Sequence, residues 1–365
     1  MLKGRILMKY WIKGKLSLVY LFWALIILLV GTLLIEQTKF IQPTSYYTEQ
    51  IRAAQLMKSS LEVIKEERLK IGIPLDIGLD PNQTGIIGEE YTELTTTLGN
   101  LEAKRTSSNP AFAALLVKYF KEVNLKKGDP IAIGASGSFP GLILATLSAV
   151  KALELEPLLI CSVGSSEYGA NIPEFTFVQM LDSLNKSNIF SYHLLAISMG
   201  GYLDQAKGMF YPDSREIIEK IVQDSGAHFI NIDNIEENIQ YRMQLYKTAA
   251  ADRPIKVFVN IGGATTNYGD TPASITYPNG LVINGPKIPN HPDRGLIFEY
   301  QNLGVPIVHL LNIRDLAVKN GLPIDPIPLP EIGEGGVYHQ TSYNKVFIFL
   351  IIGIEFFYIF WALKK

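Results

Sequence analysis

Ser136 and Ser138 stand in Gly134-Ala135-Ser136-Gly137-Ser138, directly after the apolar run 130–133. The spacing resembles the G-x-S-x-G turn that exposes a nucleophilic serine between a strand and a helix, with Ser138 in place of the last glycine. Such a serine needs a base at the same rim, ordinarily a histidine. Of the five histidines, His228 opens an apolar run and His339 lies near the C-terminal apolar segment. His193 begins another run, and His291 sits in a proline-rich loop. Only His309 falls near the carboxyl end of an apolar run, so Ser136 with His309 is the one candidate acyl-transfer pair. A histidine in so apolar a setting is ordinarily a core residue.

Hydroxyls and glycines recur at the ends of the other short apolar runs. They are Ser165 and Ser166, then Gly200 and Gly201, then Gly262 and Gly263 with Thr265 and Thr266, and finally Asn312 with Arg314. A polar stretch upstream adds Thr95, Thr96 and Thr97, followed by Lys104 and Arg105. Small residues let a ligand approach the backbone, and hydroxyls with amide N–H groups bind anions. Fixed cations beside them suit a carboxylate, which arginine can hold through two parallel hydrogen bonds. One glycine- or serine-rich turn would carry no weight. Several on one rim predict a pocket for an anionic ligand.

Other chemistries find little footing. Gly134, Gly137 and Gly141 do not have the G-x-G-x-x-G spacing, and no lysine follows them as in a phosphate loop. There is no H-E-x-x-H and no cysteine–histidine cluster, so no metal site and no cofactor is expected. Asp204, Asp270 and Asp315 are read as helix caps or solvent-facing acids. The formal net charge of −2 gives no electrostatic case for nucleic acid. The single cysteine, Cys161, lies in an apolar run and reads as a core residue.

These turns need elements to hold them. Apolar runs at 130–133, 157–163, 194–198, 228–232, 255–261 and 306–310 have strand character, and helical patterns separate most of them. Short apolar strands alternating with helices imply parallel β-α-β units covered on both faces. The expected fold is α/β, a Rossmann-like doubly wound and mostly parallel sheet over 128–330. Ligands of such sheets bind beyond the carboxyl ends of the strands, where the serines and glycines fall. Residues 41–127 read as a helical and loop lead-in, with helices over 46–70 and from Asn109-Pro110 to about 123. The proline-rich stretch 322–330 reads as a linker.

Both ends carry apolar segments. Leu16 to Ile35 is uncharged and long enough to cross a hydrocarbon core as a helix. Lys3, Arg5, Lys9, Lys13 and Lys15 precede it, and no small-residue cleavage pattern follows. Val346 to Leu363 forms a second segment, interrupted by Glu355 and ended by Lys364-Lys365. Glu355 reads either as a contact to a partner membrane helix or as a tolerated, protonated carboxyl. Basic residues at both ends predict cytoplasmic termini and an extracytoplasmic middle, a two-pass protein of the cell membrane. The implied segments are 1–40 for the tail and first helix, and 331–365 for a linker and the second. Outside a cell little ATP or NAD is available, which removes the commonest use of a doubly wound sheet.

Several segments together resemble one family. They are Leu94-Thr95-Thr96-Thr97-Leu98-Gly99 with 101–107, Ile133-Gly134-Ala135-Ser136-Gly137-Ser138-Phe139-Pro140, Ser162-Val163-Gly164-Ser165-Ser166 with Tyr168-Gly169-Ala170-Asn171, and Val259-Asn260-Ile261-Gly262-Gly263. The chain is similar to the bacterial poly-gamma-glutamate system proteins, membrane-associated components that accompany poly-γ-glutamate synthesis. The resemblance implies a role in making or exporting that capsular or released polymer, in the company of other membrane subunits. It transfers no catalytic residues. Three expectations follow: an accessory subunit that binds or guides the polymer, a serine-dependent hydrolase or transferase on γ-glutamyl bonds through Ser136, or a binding protein for a small acidic ligand.

Overall fold

The computed structural model describes residues 17–364. The five basic residues of the N-terminal tail, Leu16 and Lys365 lie outside the described residues. The chain divides into two compact units, Ser45–Tyr338 and a second made of Met1–Thr44 with His339–Lys365.

The larger unit is α/β. Its elements run α1 (Tyr47–Lys70), α2 (Leu101–Ser107), α3 (Ala111–Glu122), β1 (Pro130–Ser136), α4 (Pro140–Leu153), β2 (Glu156–Ser162) and α5 (Phe177–Lys186). They continue with β3 (Leu194–Ser198), α6 (Ser214–Ser225), β4 (Phe229–Ile230), α7 (Ile235–Ala249), β5 (Val257–Ile261) and β6 (Gly280–Val282). Last come α8 (Gly295–Asn302), β7 (Ile307–Leu310) and α9 (Ile313–Lys319). The strands form one seven-stranded sheet in the order β4-β3-β2-β1-β5-β7-β6. All pairs are parallel except β6 with β7. The chain winds outward from β1 through β4, then returns to the other side of β1 with β5. The strand order therefore reverses between β1 and β5.

Both faces of the sheet are covered, which is why its strands read as apolar runs rather than alternating ones. Ile131, Ile133 and Ala135 of β1 and Val257, Val259 and Ile261 of β5 join one core cluster with residues of α1, α3, α4, α5 and α9. The alternate residues Ala132 and Phe258 join another with Ile239 and Tyr246 of α7 and Phe298 and Tyr300 of α8. Burying one such apolar side chain contributes about 1.5–3 kcal/mol relative to leaving it exposed. The helices of 41–127 therefore have no core of their own: Ala53, Met57 and Ile64 of α1 and Phe112 and Phe120 of α3 share the sheet's. Cys161 lies in that core, and burial pushes its thiol up to about 12, which leaves it inert.

Local signals start the helices. Pro140 opens α4, and Asn234 caps α7 by accepting from Glu237 N at 3.0 Å. Helix α5 was not anticipated, although Thr176 and Gln179 form a capping box at its start. The edge strand β6 was also unforeseen, because Gly280–Val282 is too short to show a period. The stretch 322–330 is tied to α2 rather than spanning free. Asp325 accepts from Arg105 Nε at 2.8 Å, and Asp325 N donates to Thr106 Oγ1 at 2.9 Å.

The smaller unit holds two helices long and apolar enough to cross a membrane, Leu18–Gln37 and Lys345–Leu363. They start two residues later and one residue earlier, respectively, than the sequence reading. The two helices pack together: a Cβ on Gly31 would come within 2.6 Å of Ile351 Cγ2, and Tyr20 meets Trp361 edge-to-face at 6.0 Å. Phe40–Pro43 and His339–Ser342 form an antiparallel two-stranded ribbon beside them. Ile351, Glu355 and Ala362 are the buried residues of the second helix. Glu355 lies one turn beyond Ile351, so its carboxyl occupies the face that meets Gly31. Its Oε2 has no hydrogen-bond partner among the described residues.

Candidate functional site

The reversal between β1 and β5 opens a cleft of about 500 Å³ at the carboxyl ends of the strands. Each wall comes from a different turn. Ser136 ends β1 and Ser138 and Phe139 follow it, while Ser162 ends β2 and Gly164 and Ser166 follow it. Gly200, Gly201, Tyr202 and Lys207 follow β3. Gly263, Ala264 and Thr265 follow β5, and Leu311 follows β7.

The threonine-rich loop forms the lid side. Its backbone runs beside the turn after β2, with Ser165 N donating to Leu94 O at 3.0 Å and Thr96 N to Ser165 O at 2.8 Å. Thr96 and Thr97 thereby face the cleft. Thr95 does not. It is fully buried, and its hydroxyl accepts from Asn171 Nδ2 at 3.0 Å and from Thr92 N at 2.9 Å. Ser165 is likewise buried and turns its hydroxyl to Ser166 O at 3.0 Å.

Beneath this loop the hydroxyls of three serines gather beside a buried lysine. Ser136 Oγ lies 2.8 Å from Ser138 Oγ, which accepts from Ser166 N at 2.9 Å. Lys104 Nζ donates to Ser166 Oγ at 2.7 Å and to the Ser138 carbonyl, and lies 4.1 Å from the centre of the Phe139 ring. Asn100 caps α2, accepting from Ala103 N at 2.8 Å, and so fixes the helix that carries Lys104. The lysine side chain is 2% exposed. Burial lowers its ammonium to about 7, against the opposing charge of Glu167. A lysine in that range exchanges its proton near neutral pH.

The β3 turn is held from below. Asp204 Oδ1 accepts from Ser198 Oγ at 2.8 Å and from Gly200 N at 2.9 Å, and its Oδ2 accepts from Arg242 Nη2 at 2.6 Å. The expectation that Asp204 caps a helix or faces solvent is thus corrected: it is a buried ion-pair partner. Leu203, Asp204 and Ala206 all have positive φ, a conformation costing non-glycine residues of order 1 kcal/mol or more each. Gly200 also has φ +79°, and a Cβ there would stand 3.1 Å from Gly164 Cα. Two turns of the rim therefore meet backbone to backbone.

Several expected site residues lie elsewhere. Arg105 is occupied by Asp325. Arg314 pairs with Glu102 at 3.2 Å on an exposed surface. Thr266 is buried beside the cleft rather than in it, and Gly262 supplies only the backbone turn behind Ser136. His309 is 1% exposed, stacked on Tyr268 at 5.8 Å between centroids, and its Nδ1 accepts from Asn260 Nδ2 at 2.8 Å. Burial lowers its pKa to about 4. Among the described residues no hydrogen bond joins it to Ser136, so the Ser136–His309 pair is not assembled: the histidine's ring belongs to the layer under the sheet's far strands. Lys207 and Tyr202 were missed. They sit in a loop whose only sequence signal was Gly200-Gly201.

The cleft is lined mainly by small and polar groups. It offers hydroxyls, backbone and two lysines, with the Phe139 ring and Leu311 as apolar surface. Among the described residues no cluster of metal-ligating side chains is present. No family model matches the chain, no curated protein matches its sequence, and no solved structure matches it.

Proposed function

We propose that this chain is a membrane-anchored accessory component of poly-γ-glutamate synthesis or export. In this reading its α/β unit is a Rossmann-like doubly wound domain on the outer face of the cell membrane, and the cleft holds a segment of the polymer. The observation that carries the reading is the cleft itself, set where the strand order reverses and lined by Thr96, Thr97, Ser138, Lys104 and Lys207. Hydroxyls, backbone N–H groups and the Lys207 ammonium fit carboxylates without requiring a strongly basic protein. The two apolar helices that flank the domain in sequence support a place in a membrane assembly.

Calorimetric titration of the full chain in detergent tests it, using γ-linked glutamate oligomers, α-linked oligomers of the same length, and free glutamate. The expected result is binding of γ-linked oligomers, weakened by salt, with little heat from the other two. Heat from free glutamate equal to that from the oligomers would support a small-ligand binding protein instead. No heat from any of the three removes the reading.

A further inference from the structure

Lys104 and Ser166 meet in the cleft in a way that polymer binding alone does not require. A lysine that serves an anion normally presents its ammonium to solvent. Here Nζ is turned inward, 2.7 Å from Ser166 Oγ, with the Ser138 carbonyl as its second partner. Lys104 makes no ion pair with a carboxylate among the described residues. Glu167, the charge nearest it in effect, accepts from Gly99 N at 2.7 Å, and the next residue on the helix, Arg105, is taken by Asp325. Ser166 is held from both sides, its N–H on Ser138 Oγ at 2.9 Å and its carbonyl accepting from Gly169 N at 3.1 Å. Both side chains line the cleft.

The geometry points to a serine–lysine nucleophilic centre, with Ser166 Oγ as nucleophile and Lys104 Nζ as its proton acceptor, acting on amide carbonyls of carboxylate-bearing chains. The inference uses the same cleft as the binding reading, and its substrate class rests on that reading. The burial that lowers Lys104 toward neutrality supplies the free amine that such a base needs. The step balances without a cofactor. Ser166 Oγ bonds to the carbonyl carbon as its proton passes to Lys104 Nζ. The carbon–nitrogen bond then breaks, and the leaving amine takes the proton from the lysine. Water hydrolyses the resulting ester, giving one proton to Lys104, which returns it to Ser166. An amine in place of water makes the same centre a transferase.

The test is labelling of the full chain in detergent with a small dialkyl fluorophosphate, which loses fluoride on reaction with an activated serine. One adduct per chain is expected, located on Ser166 by peptide mass spectrometry, with a rate that rises through a midpoint near pH 7. Ser166→Ala, a small change in a turn held by backbone bonds, abolishes it. Lys104→Met slows it by about 100-fold, the low end of what a positioned base contributes. Should the lysine variant fail to fold, the pH profile of the unaltered chain tests the base on its own. No adduct, an adduct that persists on Ser136 or Ser138 in Ser166→Ala, or a midpoint above pH 9 overturns the assignment. Titrating Ser166→Ala with γ-linked oligomers separates the two readings: binding by this variant when the unaltered chain is not labelled leaves the polymer reading standing, and labelling of the unaltered chain without binding refutes the polymer alone.

Discussion

Arg242 and Asp204 form an ion pair at 2.6 Å in which each side chain is only 2% exposed. It ties α7 to the turn after β3, the turn that supplies Gly200, Gly201 and Lys207 to the cleft. Asn238 completes the link, donating to Asp204 Oδ2 at 3.3 Å and accepting from Arg242 Nε at 2.8 Å. The pair therefore holds one cleft wall in place through α7.

Breaking one half of such a pair leaves a charge buried without its partner, at a cost of about 3–5 kcal/mol. Arg242→Met and Asp204→Leu are each expected to lower stability by that amount in urea denaturation. The double change should cost less than the sum, because neither charge is then stranded. Additive costs, or single costs under about 1 kcal/mol, would show that the pair is dispensable.

Lys104 gives stability a pH dependence of unusual sign. Its folded value, about 7, lies below the ordinary 10.5, so between those values the unfolded chain binds the extra proton. Stability then rises with pH through that window, by up to about 1.4 kcal/mol per unit, and the penalty is fully present below pH 7. Comparing urea midpoints of the unaltered chain and Lys104→Met at pH 6.5, 8 and 9.5 cancels the tyrosines that titrate above. The difference in stability should grow in favour of the unaltered chain as pH rises. A difference that stays flat would mean that Lys104 keeps its proton throughout.

The sheet was largely legible because its strands are buried on both faces and read as Val/Ile/Leu runs, as in Ile131–Ile133 and Val257–Ile261. The rim was legible in outline for the same reason, since its serines and glycines follow those runs. Which hydroxyls face the cleft was not. Thr95 and Thr96 are adjacent, yet only the second lines it, because the Thr95 hydroxyl is taken inward by Asn171 Nδ2 and Thr92 N. Nor could spacing show that Arg105 is used by Asp325, since they are far apart in the chain. The elbow-like motif directed attention to Ser136 and a histidine. The partner that reaches these serines is Lys104, on Ser166 Oγ and the Ser138 carbonyl, from a helix the sequence concealed in a polar stretch.

His309 imposes a pH dependence of the same sign as Lys104, in a more acid range. Its folded value of about 4 lies below the ordinary 6.5 because the neutral ring is buried. The stabilisation is present above pH 6.5 and is lost as pH falls toward 4, on the order of 3 kcal/mol in all. His309→Gln retains an acceptor for Asn260 and should flatten the acid limb of stability measured between pH 7 and 4. An acid limb as steep as that of the unaltered chain would show that other groups set it.

Three cations of the rim region should separate by role. Lys207 lines the cleft and has no ion-pair partner among the described residues, so Lys207→Ala should weaken γ-linked oligomer binding by about 10-fold, the loss of one charge-assisted contact. Arg105 and Asp325 are 20% and 19% exposed, and the pair docks the stretch 322–330 on α2. Arg105→Ala should therefore cost stability, about 1–3 kcal/mol, while leaving affinity within about twofold. Arg314 and Glu102 are exposed, and Arg314→Ala should change neither quantity measurably. Titration calorimetry and urea denaturation on the three variants give both readouts. If Arg105→Ala lost affinity without losing stability, the arginine would be a ligand contact that exchanges Asp325 for substrate. That result would restore the role its sequence position suggested.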